Sequence, residues 1–176
     1  MKIILAKSAG YCFGVRDAVN AAYDASKEHG EVYMLGDIVH NENVVEDLEK
    51  KGVKVVEKLE EIPEDKPVLF RAHGTSKDVW EKAEDKKMNF IDATCPLVHD
   101  IHREVKELHA EGRKIIIIGD HGHDEVIGIA SQVEGAIIIA SIEEAQKLRK
   151  TKKAGIVSQS TQAIENVQDI INILMT

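Results

Sequence analysis

The chain has 176 residues, of which 43% are hydrophobic and 31% are charged, and its formal net charge is −8. This length allows one large domain or two small domains with a hydrophobic core. The acidic balance argues against nucleic acid or an anionic membrane as the main partner, and no apolar run has the length of a signal peptide or a membrane span. We therefore expect a cytoplasmic protein.

Short apolar runs alternate along the chain with segments of helical periodicity. The predicted strands lie near 3–6, 32–35, 53–56, 68–70, 89–91, 114–119, 136–140 and 155–157. The predicted helices lie near 14–29, 42–51, 76–87, 97–112, 124–132, 142–149 and 161–174. This alternation is typical of α/β proteins with parallel sheets, in which the strand-to-helix turns of a sheet lie at one edge.

A pattern of glycine, aspartate, histidine and glutamate occurs twice, each time directly after an apolar strand. It begins at Gly36 in GDIVHNE and, 83 residues later, at Gly119 in GDHGHDE. The same interval of 83 residues separates Cys12 from Cys95. Two matches with equal spacing indicate two copies of one α/β unit. We predict two similar small α/β domains with parallel sheets, covering 1–95 and 96–176.

Both cysteines directly precede predicted helices. Peptide dipoles and free N–H groups at a helix N-terminus favour a thiolate, which is a good nucleophile and metal ligand. Gly14 allows a close approach to the backbone beside Cys12, and Thr94 is a candidate N-cap beside Cys95. In the reducing cytoplasm we expect thiols, metal ligands or redox groups; two inert buried thiols are the alternative.

Three histidines, His40, His73 and His123, lie in turns that follow strands, and Ser160 in VSQST occupies the same kind of turn. Ligands of open parallel sheets bind outside the carboxyl ends of the strands, so these side chains can face one crevice. Helix N-termini with histidine and hydroxyl donors are also suited to phosphate. Each residue has an ordinary alternative, as a helix cap or a solvated loop side chain.

Four of the other histidines are predicted to be surface or structural residues, and the role of His121 is left open. His99, His102 and His109 share one highly charged helix and are expected at the surface. His29 precedes Gly30 at the end of a predicted helix, where a cation complements the helix dipole. We therefore expect none of them in a site.

A zinc site is a competing interpretation of the second motif copy. His121, His123 and Glu125 resemble the short clusters of histidine and carboxylate found in zinc hydrolases. No third histidine-rich segment with ligand spacing follows them. Zinc is therefore the weaker interpretation of this turn.

Six segments, in the order GYCFGV, GDIVHN, RAHGTS, DATCPLV, GHDEV and VSQST, resemble the active-site segments of the 4-hydroxy-3-methylbut-2-enyl diphosphate reductases, the LytB family. The resemblance runs over the whole chain. It implies three similar α/β domains around a cubane 4Fe-4S cluster that is held by three cysteines. One iron would remain open to the substrate, and ferredoxin or flavodoxin would supply the electrons.

The resemblance implies roles for individual residues of this chain. Cys12 and Cys95 would ligate the cluster. The allylic diphosphate substrate would be bound by His40, His73, His123 and Ser160. Glu125 would donate a proton when the allylic hydroxyl is removed reductively, giving isopentenyl and dimethylallyl diphosphate. Asp124 departs from the proline that is usual at this position of the family, and this change could loosen the turn.

A cubane cluster normally needs more than two cysteines, and the sequence contains only Cys12 and Cys95. The same 83-residue interval, counted from Cys95, leads to position 178, beyond Thr176. We therefore expect that the third family domain is absent and that the chain is incomplete and inactive alone. The alternatives are one half of a split enzyme and a non-catalytic diphosphate-binding module.

Overall fold

The computed structural model of the chain describes residues 2–7 and 9–175. These residues form two compact units. Unit 1 comprises the described residues up to Ala72 together with Asn89–Cys95, and unit 2 comprises His73–Met88 and the described residues from Pro96 onward. The predicted domains, 1–95 and 96–176, differ from these units in the segment 73–88. That domain division stays a prediction.

Unit 1 contains a four-stranded parallel sheet with the strand order β2-β1-β3-β4. Its elements are α1 (Phe13–His29), β1 (Val32–Leu35), α2 (Glu42–Glu49), β2 (Val53–Val56), a 3₁₀ turn (Leu59–Glu61), β3 (Val68–Phe70) and β4 (Phe90–Asp92). Apolar residues recur every three or four positions in α1, so Ala18 and Ala22 share one buried face. That face packs in one core with Met34 and Leu48.

Unit 2 contains a three-stranded parallel sheet with the strand order β6-β5-β7. Its elements are α3 (Lys77–Asp85), α4 (Pro96–Ala110), β5 (Lys114–Ile118), α5 (Asp124–Ala130), β6 (Ile137–Ile139), α6 (Ile142–Lys147), β7 (Ala154–Ser158) and α7 (Ile164–Leu174). Ile115 and Ile117 share one core with Val105 of α4, while Ile116 and Ile118 belong to another with residues of α6 and α7. Both faces of β5 are covered, which explains its continuous apolar run.

The prediction of an α/β fold with parallel sheets is confirmed. The first three strands of each sheet also have equivalent positions, since β1 and β5 lie between the second and third strands of their units. No described helix has both the length and the apolar character needed to cross a membrane.

The predicted strand near 3–6 is wrong. Ile3, Ile4 and Leu5 are 80%, 78% and 83% exposed, and they are outside the strands of both sheets. An apolar β-branched run has the composition of a strand, but a strand also needs a neighbour that accepts its backbone hydrogen bonds. No described strand provides one for these residues.

Candidate functional site

The seven residues predicted for the site divide between the two units. Unit 1 contains Cys12, His40 and Cys95, and unit 2 contains His73, His123, Glu125 and Ser160. Both cysteines therefore belong to unit 1, and the candidate proton donor, Glu125, belongs to unit 2.

Both cysteines of unit 1 lie at the first turn of α1. Cys12 is the N-cap residue of that helix and is exposed. Cys95 lies against Gly14, where a β-carbon would overlap the Cys95 sulfur. The glycine predicted to allow close approach of a ligand therefore admits the second cysteine. Two thiols at the positive end of one helix are a suitable pair of ligands for an iron–sulfur group.

The turn that leads into Cys95 differs from the prediction. Helix α4 begins at Pro96, so Cys95, not Thr94, directly precedes its first residue. The Thr94 hydroxyl oxygen is buried and has no hydrogen-bond partner among the described residues. A buried hydroxyl that remains unpaired is unfavourable. Beside a thiol, it is a donor that a sulfur-containing group could use, which agrees with the cysteine pair.

The loop of His40 is linked to the loop of Cys12. Asn41 caps α2 by accepting a hydrogen bond from the backbone N–H of Val44 at 3.3 Å. Its side-chain amide also donates to the Tyr11 hydroxyl at 3.0 Å. Tyr11 precedes Cys12, and His40 precedes Asn41, so this hydrogen bond places two predicted site residues near each other. The contact of Tyr11 could not be predicted from local sequence pattern.

The rings of His73 and His123 contact each other in unit 2. Their centroids are 5.6 Å apart and their planes meet at 88°, an edge-to-face arrangement. His123 caps α5, and its Nδ1 accepts the backbone N–H of Glu125 at 3.1 Å. A neutral ring that accepts at Nδ1 carries its proton on Nε2. In that tautomer the Nε2–H is the donor of the His123 ring.

Glu125 is buried, with 1% of its surface exposed, and Ser160 holds its carboxylate. The backbone N–H of Ser160 donates to Oε1 at 2.6 Å, and the Ser160 hydroxyl donates to Oε2 at 2.9 Å. Two donors to a buried carboxylate fix its orientation and offset the free energy of its desolvation. The structure thus joins the predicted proton donor to the predicted substrate-binding hydroxyl.

Gln159 connects the turns that follow β5 and β7 and was not singled out from the sequence. Its Oε1 accepts the backbone N–H of Asp120 at 2.9 Å, and its Nε2 donates to the Thr161 hydroxyl at 2.8 Å. A β-carbon at Gly119 would approach the Gln159 side chain to 3.0 Å. A polar residue between a strand and a helix was the available signal, but its burial depends on the tertiary contact.

The remaining histidines include one wrong prediction. His99 and His109 are exposed as expected, whereas His102 is buried with 8% of its surface exposed. The His121 Nε2 lies 2.9 Å from a carboxylate oxygen of Glu144. This partner is not one of the residues of the zinc interpretation. The pKa of Glu144 is lowered by the backbone N–H of Ala140 and by His121. Within the described ranges, no group of three or more His, Cys, Asp or Glu residues is arranged to hold a metal ion.

Comparison with known proteins identifies the family. Residues 3–176 match the family described as LytB protein. The chain belongs to the LytB protein family. A 4-hydroxy-3-methylbut-2-enyl diphosphate reductase of Geobacter metallireducens is 42% identical over 172 residues, which are 97% of this chain and 61% of the relative. A reductase of the same description from Geotalea daltonii is also 42% identical, over 98% of this chain and 61% of the relative.

Two solved structures resemble this LytB chain. The E-1-hydroxy-2-methyl-but-2-enyl-4-diphosphate reductase of Plasmodium falciparum gives a TM-score of 0.91 at 33% identity, covering 96% of this chain and 54% of the other. A second, described as the terminal enzyme of the non-mevalonate pathway, gives 0.86 at 35% identity, covering 98% and 63%. The LytB chain therefore spans 54–63% of the length of these relatives.

Proposed function

We propose that this chain is part of an iron–sulfur reductase that converts 4-hydroxy-3-methylbut-2-enyl diphosphate to isopentenyl and dimethylallyl diphosphate. Relatives with 42% identity carry the name of this reductase. Thiolate ligands must be kept reduced, so we place the reaction in the cytoplasm. The chain covers 61% of each relative, so other parts of a complete enzyme would contribute to the activity.

The observation that carries the proposal is the position of the two cysteines at the first turn of α1. Cys12 caps α1, and the Cys95 sulfur occupies the space that Gly14 leaves open in the same helical turn. In the proposal these thiols hold a 4Fe-4S cluster, which normally needs more than two thiolate ligands. When bound, such a cluster supplies single electrons and an open iron that acts as a Lewis acid on the departing oxygen.

Unit 2 would hold the diphosphate and the proton. His123 presents an Nε2–H donor beside the ring of His73, and His40 of unit 1 is the third candidate for binding the substrate. Ser160, bonded to Glu125, would order the substrate hydroxyl and relay a proton from the Glu125 carboxyl group. Two electrons and two protons balance the loss of the allylic hydroxyl as water. Ferredoxin or flavodoxin would provide the electrons.

A non-catalytic diphosphate-binding module is the second candidate, and one observation favours it. Unit 2 contains four predicted site residues and no cysteine, because both cysteines belong to unit 1. Its histidine pair and its serine could bind a diphosphate without iron. The two candidates therefore differ in whether binding depends on the sulfurs.

Anaerobic iron–sulfur reconstitution tests the proposal. The chain alone, the chain with Cys12→Ser or Cys95→Ser, and the chain mixed with the uncovered part of the Geobacter relative are assayed for iron, sulfide and turnover. We expect labile iron in the chain alone, less in each serine variant, and a stable cluster with turnover in the mixture. A stable cluster with turnover in the isolated chain would contradict a requirement for the part of the relatives that it does not cover. Pyrophosphate binding without iron or turnover in any combination would support the binding module.

Glu125→Gln in the active mixture tests the proton donor separately. The amide keeps the size of the side chain but carries no acidic proton, so turnover should be abolished while substrate binding is largely retained. Turnover equal to that of the unchanged chain would exclude the role of Glu125.

A further inference from the structure

His102 is a buried imidazole that the proposed reaction does not use. It lies on α4, and 8% of its surface is exposed. The distal edge of its ring, Cε1 and Nε2, faces the loop after His73. A β-carbon built on Gly74 would lie 3.3 Å from Cε1 and 3.5 Å from Nε2. Gly74 has φ of +84°, so this loop combines a left-handed turn with a close approach to the ring.

The same ring edge faces α5. A β-carbon built on Gly128 would lie 3.5 Å from the His102 Nε2 and 3.9 Å from the Gly74 carbonyl carbon. These are ordinary van der Waals separations, so the loop and the helix approach closely where both lack side chains. The His102 ring therefore lies beside the contact of the two glycines and touches both of them.

Both segments that contact His102 carry candidate site residues. His73 is bonded directly to Gly74, and Gly128 lies one turn after Glu125 in the helix that His123 caps. The rings of His73 and His123 are 5.6 Å apart. A change in the separation of Gly74 and Gly128 would therefore change the separation of these rings.

We propose that His102 is a positioning residue that sets the distance between His73 and His123, and thereby the affinity for a diphosphate group. The effect on diphosphate affinity rests on the proposed function, whereas the effect on the two rings does not. The distal ring edge is the part that acts, because Cε1 and Nε2 are the atoms beside both glycines. A shorter side chain would leave an unfilled space beside this contact, into which the loop or the helix could shift.

A pair of amide variants isolates this edge. Asn ends near the proximal atoms of the imidazole, whereas Gln, one methylene longer, reaches the position of Nε2. We expect His102→Asn to shift the imidazole NMR signals of His73 and His123 and to weaken inorganic pyrophosphate binding about tenfold, because small displacements of binding groups are costly. His102→Gln should restore both properties to near the values of the unchanged chain. His109→Asn, at an exposed position of the same helix, is the matched control.

Measurements are made by NMR and titration calorimetry well below the melting temperature, so that only folded protein is compared. If His102→Asn and His102→Gln give the same signals and the same affinity, the proposal is overturned and His102 is a core residue only. Should His102→Asn not fold, Gly128→Val alters the same contact from α5, and unchanged His73 and His123 signals in it would overturn the proposal. Absence of pyrophosphate binding in the unchanged chain counts against the proposed function alone, since the NMR signals still decide the role of His102.

Discussion

The two units carry the same turn motif after the central strand of their sheets, yet its glutamate has opposite surroundings in each. Glu42 is the first residue of α2 and is exposed, whereas Glu125 is buried and bonded to Ser160. Unit 1 uses its turns to present sulfur and an exposed histidine. Unit 2 uses the equivalent turns to bury a carboxylate.

The difference begins with a shift of one residue in the helix cap. In unit 1 the cap is Asn41, which follows the motif histidine, while in unit 2 the histidine itself, His123, is the cap. Glu42 is therefore the first residue of its helix and Glu125 the second. One helical position corresponds to a rotation of about 100°, which turns the glutamate from solvent toward the interior.

The comparison shows that a repeated motif fixes where reactive side chains occur but not what they can do. Ser160 supplies two donors to Glu125, and Gly14 gives Cys95 access to the first turn of α1. Both contacts come from segments far from the motif in sequence.

Gly14→Val should have the largest effect on unit 1. The added side chain would overlap the Cys95 sulfur, and overpacking of this kind destabilises a protein by about 3 kcal/mol. We also expect iron retention after reconstitution to fall to the level of Cys95→Ser. Urea unfolding and iron analysis measure the two effects, with Asn20→Ala on the exposed face of α1 as the control. Full iron retention in Gly14→Val would contradict the placement of the sulfurs.

Glu125→Ala and Glu42→Ala compare the equivalent glutamates directly. Removing the Glu125 carboxylate leaves the two Ser160 donors without their acceptor, which should lower the free energy of unfolding by about 2 kcal/mol. Removing the exposed Glu42 loses only a favourable charge at a helix N-terminus, about 0.5 kcal/mol. Denaturant unfolding measures both. Equal losses of unfolding free energy would mean that the two glutamates do not lie in different environments.

Proline substitutions test the shift of the cap. Asn41→Pro should destabilise by about 1–2 kcal/mol, because Asn41 has φ of −148° and its side chain caps α2. Asp124→Pro places proline at the first residue of α5, where it is favoured, and should stabilise by up to about 1 kcal/mol. Thermal unfolding distinguishes the two. A loss at Asp124 as large as that at Asn41 would argue against the one-residue shift.

The smallest effect is expected at Glu31, which lies outside the candidate site in unit 1. Hydrogen bonds from Lys54 and Lys66 lower the pKa of Glu31 to about 2. Its folded pKa is below the usual value of 4.5, so its contribution is present above pH 4.5 and is lost as the pH falls toward 2. Glu31→Gln should therefore flatten the acid limb of the stability curve, with the exposed Glu28→Gln as control. An acid limb unchanged by Glu31→Gln would refute this assignment.

Most elements could be predicted from local pattern. The run Lys114–Ile118 forms a strand covered on both faces, and the apolar spacing of α1 gives its buried face. The failures have a common physical origin. Ile3–Leu5 has the composition of a strand but no described neighbour, and His102 is polar but packs against two glycines. Partners distant in sequence decide both cases.

The same limit applies to the candidate site. The sequence placed Cys12 and Cys95 directly before helices and His40, His73 and His123 in turns after strands, and the structure puts them there. It could not foresee that Tyr11 would bond to Asn41, since that hydrogen bond joins loops 30 positions apart. Spacing in the sequence identifies candidate residues, whereas their hydrogen-bond partners depend on tertiary packing.

The central claim is that the sulfurs of Cys12 and Cys95 share one helical turn, close enough to ligate one group. Trivalent arsenicals test it directly, because they bind tightly only where two thiols lie within a few ångströms of each other. Titration of the reduced, iron-free chain with phenylarsine oxide should show one tight site per chain, which Cys12→Ser and Cys95→Ser each abolish. An unchanged chain that binds the arsenical no more tightly than either serine variant would contradict the claim.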